Sequence, residues 1–107
     1  MSEERRRQER VRLPLEVRWE GLSGRHTARV YDLSLSGCYI ESAGQTQPGE
    51  QVQFEVQSPS GRWLPPLRGE VVHSQHYMGF GLRFLELSDL QRRILAELID
   101  YGRSAAG

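Results

Sequence analysis

Two groups of residues have types and spacing suited to binding chemistry. Arg6 and Arg10 stand four apart in the opening run Arg5-Arg6-Arg7-Gln8-Glu9-Arg10. Further along, Asp32-x-Ser34-x-x-Gly37 joins a carboxylate, a hydroxyl and a glycine. A guanidinium is a planar fork that holds phosphate or carboxylate through two hydrogen bonds, fits a purine edge, and stacks on an aromatic plane. A carboxylate accepts N–H donors, and a hydroxyl donates or accepts. A glycine lets the backbone turn and admits a ligand with no Cβ in the way. Taken singly, each group has an ordinary alternative: a solvated basic tail for the arginines, a side-chain-capped turn for residues 32–37. The arginine register is unambiguous, because Arg5 lies four before Glu9 and Arg7 four before Val11.

Other constellations carry less. His73 and His76 are three apart, but the single cysteine, Cys38, does not complete a metal site with them. No metal is expected. His73 could instead stack on a base at the rim of a sheet. Ser36-Gly37 lacks the preceding glycine of a nucleophile elbow, and no histidine is placed beside it, so no catalytic residue is assigned. Cys38 reads as a small core hydrophobe, and one cysteine permits no internal disulfide.

The elements that must position these residues are mostly strands. Leu13, Leu15, Val17 and Trp19 alternate with polar residues, the signature of a half-buried strand. A turn at Gly21–Gly24 leads to a strand over Thr27–Tyr31, and the Asp32–Gly37 bend leads to another from Cys38 through Ile40. Val52, Phe54 and Val56 mark a fourth strand, Val71 and Val72 a fifth, and Gly79 through Phe84 a sixth, with Phe80, Leu82 and Phe84 on one face. Ser58–Pro66 is a proline-rich loop that carries Trp63. Gly79, Gly81 and Phe84 read as packing and bend residues. Short strands at this spacing predict an antiparallel barrel or sandwich. The last element is helical: Leu90, Ile94, Leu95, Leu98 and Ile99 follow helical spacing, with the stripe turned to the core. Ser88 with Gln91 makes a capping box, and Gly102 is placed where the helix should stop.

Composition limits the function classes. With 107 residues, 37% hydrophobic and 26% charged, the chain fits one globular domain. Fourteen basic residues balance fourteen acidic ones, which argues against bulk nucleic acid or an anionic membrane as partner. Every basic residue is an arginine. No apolar run has the length of a membrane span, and no apolar stretch follows the charged opening, so membrane insertion and a secretory signal are not expected. A cytoplasmic location follows from that reading. Residues 1–12 hold five arginines and three glutamates, and are expected to be flexible until a ligand or partner ties them down.

The order of these features, Arg6-x-x-x-Arg10, then Asp32-x-Ser34-x-x-Gly37, then the Gly-Phe-Gly-Leu-Arg-Phe stretch at 79–84 and a final helix, resembles the PilZ domain family. The resemblance runs from about residue 4 to about residue 101. It implies a six-stranded antiparallel β-barrel with a C-terminal α-helix covering it, over 13–102, with a tail at 103–107. It also implies a bacterial receptor, not an enzyme, whose ligand is cyclic di-GMP and which needs no cofactor. Guanine offers N7 and O6 to an arginine fork on one edge and N–H donors to a carboxylate on the other. By resemblance, Arg6 and Arg10 grip guanine and phosphate, while Asp32, Ser34 and Gly37 cradle a base and its backbone. Arg5, just before the first motif arginine, resembles members that take a stacked pair of ligands rather than one. The implied mechanism orders the arginine segment over the nucleotide and signals to a downstream protein, from a monomer or weak homodimer. Two other classes compete: an adaptor of the same fold that ignores nucleotide, and a small barrel for single-stranded RNA. The retained arginines tell against the first, and zero net charge with a core-facing Trp19 against the second.

Overall fold

The computed structural model describes residues 9–106. Among these residues, seven strands and one helix follow in order: β1 (Val11–Arg12), β2 (Glu16–Gly21), β3 (Gly24–Leu33), β4 (Gly37–Glu41), β5 (Gln51–Val56), β6 (Leu67–Gln75), β7 (Gly79–Leu85) and α1 (Asp89–Ala106). All pairings are antiparallel. The sheet order β1-β3-β2-β5-β6-β7-β4 returns on itself through a β3–β4 pairing. Strands β2 to β7 therefore close the expected six-stranded barrel, with β1 as a short appendage. Closure depends on the length of β3. Gly24–Arg29 pairs with β2, while Arg29–Leu33 pairs with β4. Its early residues therefore bond one neighbour and its late residues the other, and no edge is left between them.

Period-two patterning explains the core. Val17 and Trp19 of β2, Val52, Phe54 and Val56 of β5, and Phe80 and Leu82 of β7 all point inward and are buried. Trp19 is the largest of them. It lies edge-on to Phe80 and stacks on His26, and its indole N–H donates to Ser42 Oγ at 3.1 Å. That bond satisfies the one polar atom its burial would otherwise strand. Leu13 and Leu15 are buried as the alternation requires, yet the strand itself starts only at Glu16.

The helix caps the barrel through Leu95, Leu98 and Ile99, which join Val11, Leu13 and Leu15 in the core. Its start is a reciprocal capping box: Gln91 N–H donates to Ser88 Oγ at 3.1 Å and Ser88 N–H to Gln91 Oε1 at 2.7 Å. Gln91 Nε2 also donates to the Pro66 carbonyl, pinning the helix to the β5–β6 loop. Ser88→Ala is expected to remove about 1 kcal/mol of stability, read as a lowered denaturant midpoint at unchanged slope.

The structure corrects three expectations. The helix does not stop at Gly102 but continues to Ala106, so residues 103–106 are not a tail. Gly102 serves packing: a Cβ there would lie 2.9 Å from Val11 Cγ2, so its absence lets helix and β1 approach closely. Leu90 does not belong to the buried stripe but is exposed in the first turn. Finally, Val11 and Arg12 are not part of a mobile lead but form β1, paired with Leu33 and Asp32.

Candidate functional site

The two motifs meet, in part, at one place on the barrel wall. Arg10 Nη1 lies 3.0 Å from Asp32 Oδ1. They line the edge of an open cleft of about 520 Å³ on the outer faces of β3, β4, β7 and β6. That volume falls within the range of small-molecule sites. Asp32 Oδ1 also accepts the Tyr39 backbone N–H at 3.2 Å, which holds the carboxylate against β4. The Arg10 side chain is 47% exposed and that of Asp32 21%. A pair so open to water is worth at most about 1 kcal/mol, so an anionic ligand can exchange for it at low cost.

Ser34 and Gly37 stand elsewhere than their place in the motif suggests. Ser34 is buried, and its hydroxyl works on the bend itself: Oγ accepts from the N–H groups of Ser36 and Gly37 and donates to the Gly37 carbonyl at 3.1 Å. The Ser34 backbone N–H donates to the same carbonyl at 2.8 Å. The hydroxyl thus satisfies the polar backbone of a tight turn. Gly37 is needed by the fold, because a Cβ there would sit 2.0 Å from the Leu82 carbonyl oxygen of the adjacent strand. Neither lines the cleft; both hold the bend whose first residue, Asp32, does. Arg5 and Arg6 lie outside the described residues.

Two β-bulges aim side chains into the cleft. In β3 the register slips between Val30 and Asp32, and in β6 between Val71 and His73. Alternation would bury every second residue, but at each slip two successive residues turn outward: Tyr31 with Asp32, and Val72 with His73. Between the two bulged strands lie β4, with Tyr39, and β7, whose cleft-facing position is Gly81. Sequence reasoning missed Tyr31 and Tyr39 as site residues, along with Gln75 and Met78 on the same wall. Tyrosines on strands beside polar neighbours were the available signal. His73, considered for a base, does lie there. It and His76 serve different contacts: His73 stacks on Tyr39, and His76 lies against Tyr77. Among the described residues no group of three metal-ligating side chains occurs.

Electrostatics at the floor are simple. Burial, reinforced by Asp32, pushes the Cys38 thiol up to about 12, so it is neutral and unreactive near pH 7. Burial, with Glu41 and Asp32 nearby, also raises Tyr39 above the usual phenol range and keeps its hydroxyl protonated. That hydroxyl donates to Gln75 Oε1. Just upstream of Arg10, Glu9 is held by Arg103, whose Nε donates to Oε2 at 2.9 Å, tying the chain's entry to α1. No described helix is long and apolar enough to cross a membrane.

Comparison with known proteins matches this architecture. No curated protein matches the sequence. Among solved structures, the PilZ domain of YcgR from Escherichia coli, with c-di-GMP, superposes with a TM-score of 0.76 at 22% identity, over 95% of this chain and 94% of that one. A structure of YcgR from Escherichia coli in complex with c-di-GMP gives a TM-score of 0.76 at 25% identity, over 95% of this chain but 47% of that one. The inhibitor of motility MotI/DgrA from Bacillus subtilis gives 0.69 at 16% identity, over 86% of this chain and 48% of that one. The family profile of the PilZ domain matches residues 4–101, nearly the whole chain, and with the closed barrel and its capping helix this establishes that the protein belongs to the PilZ domain family.

Proposed function

We propose that this protein is a receptor for cyclic di-GMP that binds the dinucleotide in the cleft beside Arg10 and Asp32. The observation that carries the reading is the 3.0 Å contact between those two residues, 22 positions apart in sequence, at the edge of a ligand-sized cleft. Their chemistry is complementary to the ligand: a guanidinium for a phosphate or for guanine N7 and O6, a carboxylate for guanine N–H donors. The YcgR structures, which contain c-di-GMP on the same fold, support the choice of nucleotide.

Charge balance assigns a part to the residues before Glu9. Cyclic di-GMP carries two phosphate charges, whereas Arg10 is the only arginine among the described residues that line the cleft. Arg5 and Arg6, a few residues upstream, supply the further cations, so the leading segment closes over the nucleotide as it binds. Ser34 and Gly37 act indirectly, by holding the bend that presents Asp32. The role is that of a sensor, not an enzyme, and the closed segment offers a new surface to a downstream protein. Calorimetric titration of cyclic di-GMP at increasing salt tests this. Binding is expected, with affinity falling steadily as ionic strength rises; an absence of heat and of any ligand-induced rise in melting temperature would refute the receptor reading.

A further inference from the structure

We propose that Tyr39 and His73 form a stacking wall for one guanine base of the bound dinucleotide, an inference that rests on the receptor reading above. The two residues do not belong to neighbouring strands. Tyr39 is on β4 and His73 on β6, with β7 between them. Neighbouring strands lie about 4.8 Å apart, so side chains two strands apart stand roughly 10 Å from one another. Here the ring centroids are 5.8 Å apart and the planes only 27° from parallel.

Gly81 makes this possible. It pairs with Tyr39 on one side and with His73 on the other. A Cβ at position 81 would stand 2.4 Å from His73 Cε1, so the imidazole occupies the space a side chain would have filled. The β6 bulge supplies the second condition, since it turns His73 outward together with Val72.

The pair continues an aromatic row. Tyr31 meets Tyr39 edge-on with centroids 6.2 Å apart, and the Arg12 guanidinium lies 4.2 Å over the Tyr31 ring. The Gln75 contact fixes the tilt of Tyr39. His73 is exposed and contributes nothing to the barrel interior. A row of π faces on a cleft that also holds Arg10 and Asp32 matches a planar base with a charged backbone. Stacking engages the base's face, and Asp32 is left for its edge.

The test compares wild type with His73→Ala and His73→Phe by calorimetric titration of cyclic di-GMP, with proton NMR of the His73 Cε1–H in wild type. Expected results are a loss of at least about five-fold in affinity for His73→Ala, affinity close to wild type for His73→Phe, and an upfield ring-current shift of the histidine proton on binding. Melting temperatures of the free variants should match wild type, because His73 lies at the surface. Unchanged affinity in His73→Ala would overturn the stacking wall while leaving the receptor standing. Equal losses in the alanine and phenylalanine variants would overturn it too, by assigning His73 a polar role. If the wild-type protein fails to bind cyclic di-GMP at all, the receptor and the wall fall together.

Discussion

Arg10→Ala is expected to weaken cyclic di-GMP binding by about 100-fold, some 2.7 kcal/mol, while leaving the free protein almost as stable as before. The two effects separate because the same guanidinium meets different surroundings in the two states. In the free protein it pairs with Asp32 in the open, where water and salt screen the attraction and at most about 1 kcal/mol is at stake. In the proposed complex it would face a phosphate or a guanine edge, where its fork geometry allows two charge-assisted hydrogen bonds. Removing it would also leave the Asp32 charge uncompensated where an anionic ligand has to bind. Calorimetry gives the affinity and a thermal melt the stability. A variant that binds as tightly as wild type would remove Arg10 from the site. One that binds weakly only because it melts early would make it a structural residue.

Gly37→Ala is expected to act the opposite way, on the fold first. The added methyl carbon would stand 2.0 Å from the Leu82 carbonyl oxygen and 3.1 Å from its carbon. Both belong to backbone, so no rotamer change relieves the clash. Strands β4 and β7 would have to part where Gly37 pairs with Arg83 and where Phe84 N–H donates to the Ser36 carbonyl at 2.9 Å. Overpacking of this kind costs about 3 kcal/mol or more, a large share of the 5–15 kcal/mol that stabilises an ordinary domain. The melting temperature should fall by more than about 10 °C, with or without nucleotide. If Gly37→Ala melts like wild type yet fails to bind, the glycine serves the ligand and not the strand crossing.

The different surroundings of Arg10 and Gly37 show how much of the candidate site was legible in advance. Arg10 and Asp32 were singled out through the resemblance that the two motifs carry together, and the fold brings them within 3.0 Å. Ser34 and Gly37 were identified by the same pattern, but their positions in space give them a different physical task. A short pattern records which residues recur together; it does not distinguish those that face a ligand from those that shape the bend beneath it. Tyr39 was missed, and His73, singled out for a base, could not be paired with it in advance, because their proximity depends on an absent side chain on a third strand.

The fold divides along similar lines. Alternation at Val17 and Trp19, at Val52, Phe54 and Val56, and at Phe80 and Leu82 determined which faces are buried, because successive side chains in a strand must point to opposite sides. Helical spacing with the Ser88–Gln91 box determined the last element and where it begins. Local pattern could not set the end of the helix, since Gly102 is a helix-stop residue by propensity, yet in the fold it lies within the helix and packs closely against Val11. Nor could it place the bulges at Tyr31 and Val72, which arise from the register in which whole strands pair. Local chemistry is written residue by residue. What faces what across the barrel is a property of closure, and only the folded chain decides it.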